Sequence, residues 1–309
     1  MKKIFIDGSA GTTGLRIYDR LSDRKDIELI VLPDELRKDN NAKREALNSC
    51  DIAFLCLPDV AAIEAVALVE NENTAIIDTS TAHRTNDEFT YGFPELKGYR
   101  ERIKISKRIA NPGCHASGFI ALLEPLVRAG IIKEDALLSC FSITGYSGGG
   151  KKMIADYESA ERDPLLKAPR QYALGGIHKH LPEMAKVCGL LNPPSFQPIV
   201  ADFYSGMEVT VPLFARDING GIEDIKAVYK SYYQSGLVHF CDNADEQGFM
   251  SASAFSGRDD MQVTVVGTNE RPVLVARFDN LGKGASGAAI QNMNILLGVD
   301  ETLGLNGGK

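Results

Sequence analysis

The first third of the chain alternates short apolar segments with polar or amphipathic ones. Residues 3–7, 27–32, 52–57 and 75–79 are apolar stretches that predict strands, and the segments between them, such as 60–70, have the spacing of helices. Short apolar strands that alternate with helices are typical of a parallel sheet covered by helices on both faces. The pattern predicts an α/β domain with a Rossmann-type parallel sheet, in which ligands bind at the carboxyl ends of the strands.

The pattern differs after Gly130. Longer strands are predicted there at residues 139–144, 208–214, 262–267 and 273–279. Apart from a helix at 223–235, few helices separate them, which is typical of an α+β domain with a mostly antiparallel sheet. A final helix at 285–297 is rich in small residues, and we expect it to return to the first domain. A chain of 309 residues is long enough for two such cores.

A glycine-rich turn joins the first predicted strand to the first predicted helix. Its residues are candidates to line the pyrophosphate of a dinucleotide, and they are Gly8, Ala10, Gly11, Thr12, Thr13 and Gly14. The order of strand, glycine turn and helix is that of a dinucleotide-binding unit. The spacing is G-x-x-G-x-x-G, however, so taken alone the turn is equally well explained as a plain strand-to-helix connection.

Cys114 is the strongest candidate for chemistry. It follows the turn-forming residues 111–113 and precedes an apolar segment, 119–127, that predicts a helix. A thiol at a helix N-terminus faces unpaired N–H groups and the positive end of the helix dipole, which favour the reactive thiolate. The alternative is that Cys114 is a small buried apolar residue, as free cysteines often are. We predict that it is the most reactive of the six thiols.

Two further segments offer anion-binding groups. Ser147, Gly148 and Gly149 begin a glycine-rich turn before two lysines, which is either an anion-binding nest or a flexible hairpin tip. Arg84 follows a predicted strand, and its guanidinium is suited either to a substrate carboxylate or phosphate or to a surface ion pair with Asp87 or Glu88.

The remaining candidates are histidines. His178 and His180 are two residues apart, hence on one side of an extended segment, and Glu183 follows them. Three neighbouring ligands without a second group elsewhere are weak evidence for zinc, so no metal is expected. General acid–base catalysis is the better interpretation, because histidine titrates near neutral pH. His83, His115 and His239 are interpreted as surface or hydrogen-bonding residues.

Composition and charge narrow the classes of partner. The net charge is −7, which argues against nucleic acid or an anionic membrane and leaves a small molecule as the expected ligand. The six cysteines include no C-x-x-C pair, no signal-peptide pattern is present, and no apolar run has the length of a membrane span. We therefore expect reduced thiols and a cytoplasmic location.

Together these motifs resemble the shorter type of the N-acetyl-γ-glutamyl-phosphate reductase family, within the aspartate-semialdehyde dehydrogenase superfamily. The resemblance runs from residue 4 to residue 298. It is carried by residues 7–14, 78–84, 91–96, 110–114, 147–151, 178–183, 280–285 and 291–294. Asn-Pro-Gly-Cys at 111–114 and Tyr-Gly-Phe-Pro-Glu-Leu at 91–96 are highly specific, whereas the glycine turn is not.

The resemblance implies an NADPH-dependent reductase of an acyl phosphate. It implies that Cys114 is the nucleophile, that His180 is the acid/base, and that Asn292 contributes to the cofactor site. Residues 1–116, completed by a C-terminal helix within 283–309, would form the NADP-binding domain, and 117–282 would serve substrate binding and oligomerisation as a dimer or tetramer. The longer family members carry a bigger cofactor domain, and a Tyr where this chain has His115. This difference indicates the shorter type and leaves the adenine-side contacts open.

Several assignments within this scheme are predictions. Arg84, Ser147, Gly148 and Gly149 are candidates to anchor the substrate. NADP is expected over NAD because Arg37 and Lys38 can hold a 2′-phosphate, although the preceding Asp34 and Glu35 can hold a ribose hydroxyl.

Within the histidine pair, His180 is expected to carry the proton transfer because Leu181-Pro182 restricts its backbone, and His178 to contribute to substrate affinity.

Two alternative functions remain open. An aspartate-semialdehyde dehydrogenase or aminoadipyl-phosphate reductase would share this chemistry on a substrate of different length. A non-catalytic NADP-sensing protein would need only the glycine turn, and it leaves Cys114 and His180 without a role.

Overall fold

The strands of the computed structural model, which describes residues 1–307, form two sheets. The first sheet contains β1 (Lys2–Asp7), β2 (Ile27–Ile30), β3 (Ile52–Leu55), β4 (Ala75–Asp78), β5 (Thr90–Tyr91) and β6 (Arg108–Ala110). Its spatial order is β2-β1-β3-β4-β6-β5, and every pairing is parallel. The carboxyl ends of these strands therefore lie at one edge of the sheet.

The second sheet is mixed. It contains β7 (Ser139–Gly145), β8 (Arg170–Gln171), β9 (Ser195–Ala201), β10 (Met207–Pro212), β11 (Val238–Phe240), β12 (Met261–Thr268) and β13 (Arg271–Phe278). The order is β11-β12-β13-β10-β7-β9-β8. The pairs β7–β9 and β11–β12 are parallel, and the remaining pairs are antiparallel.

Helices accompany both sheets. In chain order they are α1 (Thr12–Leu21), α2 (Asn40–Ser49), α3 (Asp59–Ala67), α4 (Tyr99–Ile105), α5 (Cys114–Arg128), α6 (Gly150–Glu158), α7 (Leu181–Cys188), α8 (Ile222–Tyr232) and α9 (Gly287–Leu297). A π-helical turn, Gly282–Ser286, precedes α9 directly.

The chain divides into two compact units. The first contains Met1–Pro94, Gly98–Pro112 and Ala285–Leu305, and hence the parallel sheet and α9. The second contains Glu95–Lys97, Gly113–Gly284 and residues 306–307. Contacts thus separate the units at Pro112 rather than at the predicted residue 116, and residues 308–309 of the predicted C-terminal segment lie outside the described residues.

Alternation along the strands explains the core of the first unit. Ile4 and Ile6 point to one face of the parallel sheet and pack with Ile290 and Met293 of α9. Phe5, between them, points to the other face, in a cluster that includes Leu47 of α2. Because both faces are buried, the strands read as continuous apolar runs rather than as an alternation of polar and apolar residues.

In the second unit, α5 packs on one face of the mixed sheet, against β10 and β13, and α8 packs against β12. α5 has buried residues around its whole circumference over most of its length. A helix with no solvent-exposed stripe belongs to the interior of a domain. This burial gives the first residue of α5, Cys114, a rigid support.

The predicted fold class is confirmed, with corrections of detail. β9 was not predicted, because Pro198 interrupts its apolar pattern; the strand tolerates this proline beside the short edge strand β8. The helix predicted from residue 285 begins at Gly287, after the π-helical turn. Within residues 1–307, no helix has both the length and the apolar character needed to cross a bilayer.

A buried ion pair joins two segments of the second unit that are distant in the chain. Lys283, in the π-helical turn, donates to both carboxylate oxygens of Glu95 at 2.9 and 2.8 Å, and the two side chains are only 2% and 1% exposed. Glu95 also accepts a hydrogen bond from the N–H of Leu237 at 3.0 Å. Removing one partner of such a pair leaves an uncompensated buried charge.

We predict that Lys283→Met lowers the free energy of unfolding by about 3–5 kcal/mol, because the Glu95 carboxylate then stays buried without its cation. The double variant Glu95→Gln, Lys283→Met should lose less. Lys104→Met, which removes a solvent-exposed pair with Glu101 on α4, is the control and should cost less than about 1 kcal/mol. Urea titration measures all three, and equal losses for Lys283→Met and Lys104→Met would contradict the prediction.

Candidate active site

The glycine turn lies at the carboxyl end of β1. Gly8 has a φ of +86°, and a Cβ atom built on it would lie 2.3 Å from the carbonyl oxygen of Cys56. A Cβ on Gly14 would lie 2.3 Å from the carbonyl oxygen of Gly8. Only glycine fits either position, so the turn draws the start of α1 tightly against the strand ends.

This turn leaves the N-terminus of α1 open. The N-cap is Gly11, which has no side chain to bond the first-turn N–H groups, and the first turn of α1, residues 12–15, contains no acidic side chain. Ala10 and Gly11 are exposed, Thr12 and Thr13 are half-buried, and Gly14 is buried. The exposed positions and the helix N-terminus fit a pyrophosphate, whereas Gly14 contributes through close packing.

Asn292 of α9 presents a second feature that fits a bound cofactor. Its side-chain amide donates to the carbonyl oxygen of Gly92 at 2.9 Å. Its Oδ1 atom is buried and has no hydrogen-bond partner within residues 1–307. A buried acceptor without a donor is costly, and a ligand N–H group would satisfy it.

Arg37 lies in the loop after β2, the strand next to β1. Its guanidinium pairs with Asp34 at 2.7 Å, and its Nε atom lacks a hydrogen-bond partner within the described residues. In the sequence, Asp34 can hold a ribose hydroxyl, as in NAD sites, and Arg37 can hold the 2′-phosphate of NADP. The two side chains are instead bonded to each other.

Arg84 binds the backbone at the same sheet edge. Its Nε donates to the carbonyl oxygen of Asn111 at 3.0 Å, and its Nη2 donates to that of Thr79 at 3.1 Å. These two bonds tie the loop after β4 to the end of β6. Nearby, buried Asp78 accepts a hydrogen bond from Ser80 and pairs with His83 Nδ1 at 2.6 Å, so His83 has the hydrogen-bonding role expected of it.

Cys114 is the first residue of α5, as predicted from the sequence, and Gly113 is the N-cap. The N–H of Gly113 donates to Glu183 Oε2 at 3.1 Å. Glu183, in the first turn of α7, is 1% exposed, and its Oε1 lies 3.9 Å from His180 Nε2. One buried carboxylate therefore links the start of the helix that carries Cys114 to His180.

The two predicted histidines are close, although not on an extended segment. His180 is the N-cap of α7 with helical backbone angles, and His178 precedes it in a turn. Their ring centroids are 4.7 Å apart. Nδ1 of His178 accepts a hydrogen bond from the N–H of His180 at 3.2 Å, which favours the neutral ring with its proton on Nε2.

His115 completes a cluster of three histidine rings. It is buried, and its ring centroid lies 5.7 Å from that of His178 and 5.6 Å from that of His180. Its ring nitrogens bond the hydroxyls of Ser142 and Tyr172. The hydrogen-bonding role expected of His115 is present, but its place beside the other two histidines was not predicted. Its position next to Cys114 in the chain was the available signal.

Asp279 and Asn280 connect several segments of the second unit. Asp279 is fully buried and accepts hydrogen bonds from Ser205 and from the N–H groups of Gly257 and Leu281. Asn280 donates to Ser147 Oγ at 3.0 Å. Ser147 is itself buried, and its N–H bonds the carbonyl oxygen of Tyr204.

Ser147 thus has a supporting contact, and the next two residues of the turn, Gly148 and Gly149, are the exposed ones.

Gly284 packs against Cys114, which explains why position 284 is a glycine. A Cβ atom there would lie 3.0 Å from Cβ of Cys114 and 3.2 Å from the carbonyl oxygen of Asp279. A larger residue would press on Cys114 from the π-helical turn. Gly284 belongs to the motif at residues 280–285, and the sequence alone does not show why a glycine stands at this position.

Four of the five remaining thiols differ from Cys114 in environment. Burial raises the pKa of Cys50 and of Cys56 to about 12, and it also raises the pKa of Cys140 and Cys188. A thiol with a raised pKa is a poor nucleophile near neutral pH. Cys114 is partly accessible and begins a helix. Across residues 1–307, no group of three or more His, Cys, Asp or Glu side chains is arranged to hold a metal.

Comparison with known proteins identifies the class of this fold and site. Residues 33–106 match the family model described as semialdehyde dehydrogenase, NAD binding domain, and residues 114–280 match semialdehyde dehydrogenase, dimerisation domain. Solved structures share the fold at low sequence identity. Aspartate semialdehyde dehydrogenase from Francisella tularensis has a TM-score of 0.71 and 15% identity, over 96% of this chain and 100% of that one.

A second solved structure, aspartate semialdehyde dehydrogenase with NADP from Candida albicans, has a TM-score of 0.66 and 16% identity, over 96% of this chain and 98% of that one.

Curated relatives are much closer in sequence. N-acetyl-gamma-glutamyl-phosphate reductase 2 of Nostoc sp. is 44% identical over 98% of this chain and 99% of its own length. N-acetyl-gamma-glutamyl-phosphate reductase of Brucella ovis is 44% identical over 96% and 99%. The chain belongs to the N-acetyl-γ-glutamyl-phosphate reductase family, and it carries that family's nicotinamide-dinucleotide-binding domain.

We predict that limited iodoacetamide treatment at neutral pH labels Cys114 before the other five thiols. Burial favours the protonated form of Cys50, Cys56, Cys140 and Cys188, and Cys241 does not lie at a helix N-terminus. Peptide mapping by mass spectrometry identifies the labelled residue, and Cys114→Ser provides the control for background labelling. Equal or faster labelling at Cys50, Cys188 or Cys241, with activity retained, would contradict the assignment of Cys114.

Proposed function

We propose that the protein reduces N-acetyl-γ-glutamyl phosphate to N-acetylglutamate semialdehyde with NADPH and releases phosphate. The observation that carries this proposal is the link from Cys114, at the start of α5, through Gly113 and Glu183 to His180. Relatives named for this reaction, 44% identical over nearly the whole chain, support the choice of substrate.

In the proposed reaction, the Cys114 thiolate attacks the γ-acyl carbon. The C–O bond to the phosphate breaks, phosphate leaves with its electron pair, and the acyl group remains on sulfur as a thioester. When bound, NADPH supplies the hydride that reduces this acyl group. The N-terminus of α5 favours the thiolate at the start of the reaction and again when the aldehyde is released.

His180 is proposed to donate a proton to the carbonyl oxygen during reduction and to take it back as the aldehyde leaves. Glu183, whose Oε1 lies 3.9 Å from His180 Nε2, would hold the ring of His180 in place. His178 is proposed to contribute to substrate affinity, and its Nδ1 accepts a hydrogen bond from the N–H of His180. The two histidines would thus have different roles despite their proximity.

The cofactor is proposed to contact the glycine turn and two side chains. Gly8, Ala10, Gly11, Thr12, Thr13 and Gly14 would surround the pyrophosphate. Asn292 Oδ1 would accept a hydrogen bond from the cofactor. Arg37 would hold the 2′-phosphate of NADP, which requires its guanidinium to share or leave the Asp34 carboxylate.

Substrate anchoring is proposed for the exposed Gly148 and Gly149, whose N–H groups lie at the turn that Ser147 supports. His178 would contribute to substrate affinity. Arg84 has two donors on backbone carbonyls, so we propose that it mainly shapes the loop after β4 and reaches a substrate anion only through its other N–H groups.

A homo-oligomer is proposed through the second unit, which matches the dimerisation-domain model. One face of the mixed sheet is covered by α5 and α8. The opposite face presents Phe141, which is 44% exposed, with half-buried Ile143 and Ile199 nearby on β7 and β9. An apolar sheet face of this kind is suited to a second copy of the chain.

The proposed function and its alternatives differ in the substrate that they predict, so they can be tested against each other directly. We predict that phosphate-dependent NADP⁺ reduction is fastest with N-acetylglutamate semialdehyde in a panel that includes aspartate semialdehyde and N-acetyl-aminoadipate semialdehyde. Cys114→Ser should reduce the rate to background. Preference for another semialdehyde would replace the proposed substrate, and no reaction with any of them would favour the NADP-sensing alternative.

We predict that His180→Asn lowers kcat by about 10²- to 10⁴-fold with NADPH binding retained, because it removes a positioned acid/base. His178→Asn should act mainly on KM. Steady-state kinetics and fluorescence titration with NADPH separate these effects. If His178→Asn abolished turnover while His180→Asn retained it, the two roles would have to be exchanged.

We predict a preference for NADPH over NADH that falls about ten- to hundredfold in Arg37→Ala, the value of a lost charge-assisted hydrogen bond. The control is Arg44→Ala, which removes the same charge from α2, where Arg44 pairs with Glu70. The ratio of kcat/KM for the two cofactors is the measurement. An unchanged ratio in Arg37→Ala would exclude Arg37 as the 2′-phosphate ligand.

A further inference from the structure

A buried ion pair stands directly before the glycine turn. Asp7 is the last residue of β1 and is followed by Gly8, the first residue of the turn. Oδ2 of Asp7 lies 3.2 Å from Nζ of Lys43 on α2, and the two side chains are only 5% and 14% exposed. A negative and a positive charge are thus fixed together beside the residues proposed to surround the pyrophosphate.

The sequence places both charges on one face of the parallel sheet. Side chains alternate along a strand, so Asp7 points to the same face as Phe5, which belongs to one apolar cluster with Leu47 of α2. Lys43 is one helical turn before Leu47 and therefore lies on the same side of α2. The packing of α2 on this face brings Lys43 to the carboxyl end of β1.

The pair is close to the groups that would bind an anion. The N–H of Gly11, the N-cap of α1, donates to the carbonyl oxygen of Gly8 at 3.0 Å. Gly14 packs against the same carbonyl oxygen. The N-terminus of α1 is therefore held against the residue that follows Asp7. Charges at such short range are only partly screened, so an uncompensated Asp7 carboxylate would repel a pyrophosphate bound there.

Lys43 is the cation that compensates Asp7. Burial raises the pKa of the Asp7 carboxyl, and the charge of Lys43 and the N–H of Gly8 oppose this effect. The thiol of Cys56, after β3, also faces Asp7. Burial raises the pKa of Cys56 to about 12, with the charges of Asp78 and Asp7 acting in the same direction. Cys56 therefore stays neutral and adds no charge to the pair.

We propose that Lys43 is a positioning residue for the cofactor, which neutralises the Asp7 carboxylate so that the glycine turn accepts the pyrophosphate. The proposal rests on the proposed function, because it takes residues 8–14 as the pyrophosphate site. Lys43 acts through Asp7 and not by contact with the phosphates. It thereby gives a role in cofactor binding to a residue of α2, outside the turn itself.

Isothermal titration calorimetry of the full-length protein with NADP⁺ tests the proposal. Lys43→Met leaves Asp7 uncompensated and should raise the Kd about tenfold. Asp7→Asn leaves the cation alone and should lower the Kd about three- to tenfold. Lys43→Arg keeps the charge and should bind NADP⁺ as the wild type does. A merely structural role of the pair predicts weaker binding in both Lys43→Met and Asp7→Asn, and that result would overturn the proposal.

Two further variants control for folding and for net charge. The double variant Asp7→Asn, Lys43→Met leaves no uncompensated buried charge, so its Kd should lie within about threefold of the wild-type value. If Lys43→Met does not fold, Asp7→Asn should still bind more tightly than the double variant, and equal Kd values would overturn the proposal. Arg44→Met removes the same charge from the next position of α2, where Arg44 forms an exposed pair with Glu70, and should leave the Kd unchanged.

The pH dependence separates charge from shape. Without Lys43 the effect of burial on Asp7 is less opposed, so its pKa rises further in Lys43→Met and the carboxylate takes up a proton at a higher pH. The ratio of the Kd of Lys43→Met to that of the wild type should therefore be largest near pH 9 and fall toward pH 5. This ratio cancels the titration of the cofactor's own phosphate. A constant ratio would overturn the proposal.

Failure of the proposed function gives a different result. Wild-type protein that does not bind NADP⁺ would contradict the proposed function, and the role of Lys43 with it. Wild-type protein that binds NADP⁺, with the same Kd in Lys43→Met, would contradict the role of Lys43 alone.

Discussion

The carboxylate of Glu183 is the constraint on which the site depends. It is buried, accepts a hydrogen bond from the N–H of Gly113 at the start of α5, and lies within 3.9 Å of His180 at the start of α7. A buried charge is tolerated only where donors surround it. The need to satisfy Glu183 therefore fixes two helix starts relative to each other, and these carry the proposed nucleophile and the proposed acid/base.

Around this carboxylate, the three neighbouring histidines have different surroundings. His115 is kept neutral by burial, and His178 has one ring nitrogen engaged as an acceptor. His180 lies beside the carboxylate, and it is the histidine to which the proposed mechanism assigns the proton transfer. Environments that separate the behaviour of similar side chains are characteristic of acid–base sites.

Much of the fold and part of the site could be predicted from the sequence. The parallel strands and the glycine turn follow from local patterns, as does the position of Cys114 at a helix start. The cluster of His115, Ser142 and Tyr172 could not be predicted, because its members come from distant parts of the chain. Ser142 on β7 and Tyr172 after β8 lie on either side of Pro198 on β9, and His115 lies on α5. The bond between Asp34 and Arg37 was equally invisible, since composition shows which charges are present but not which of them pair.

The central claim is that Cys114 carries the acyl group covalently. Mass spectrometry after mixing the protein with N-acetyl-γ-glutamyl phosphate, without NADPH, tests it most directly. The account predicts release of one phosphate per active site and one N-acetylglutamyl group on the peptide that contains Cys114, removable by hydroxylamine. An unmodified Cys114 peptide, or an acyl group on another residue with phosphate still released, would contradict the account.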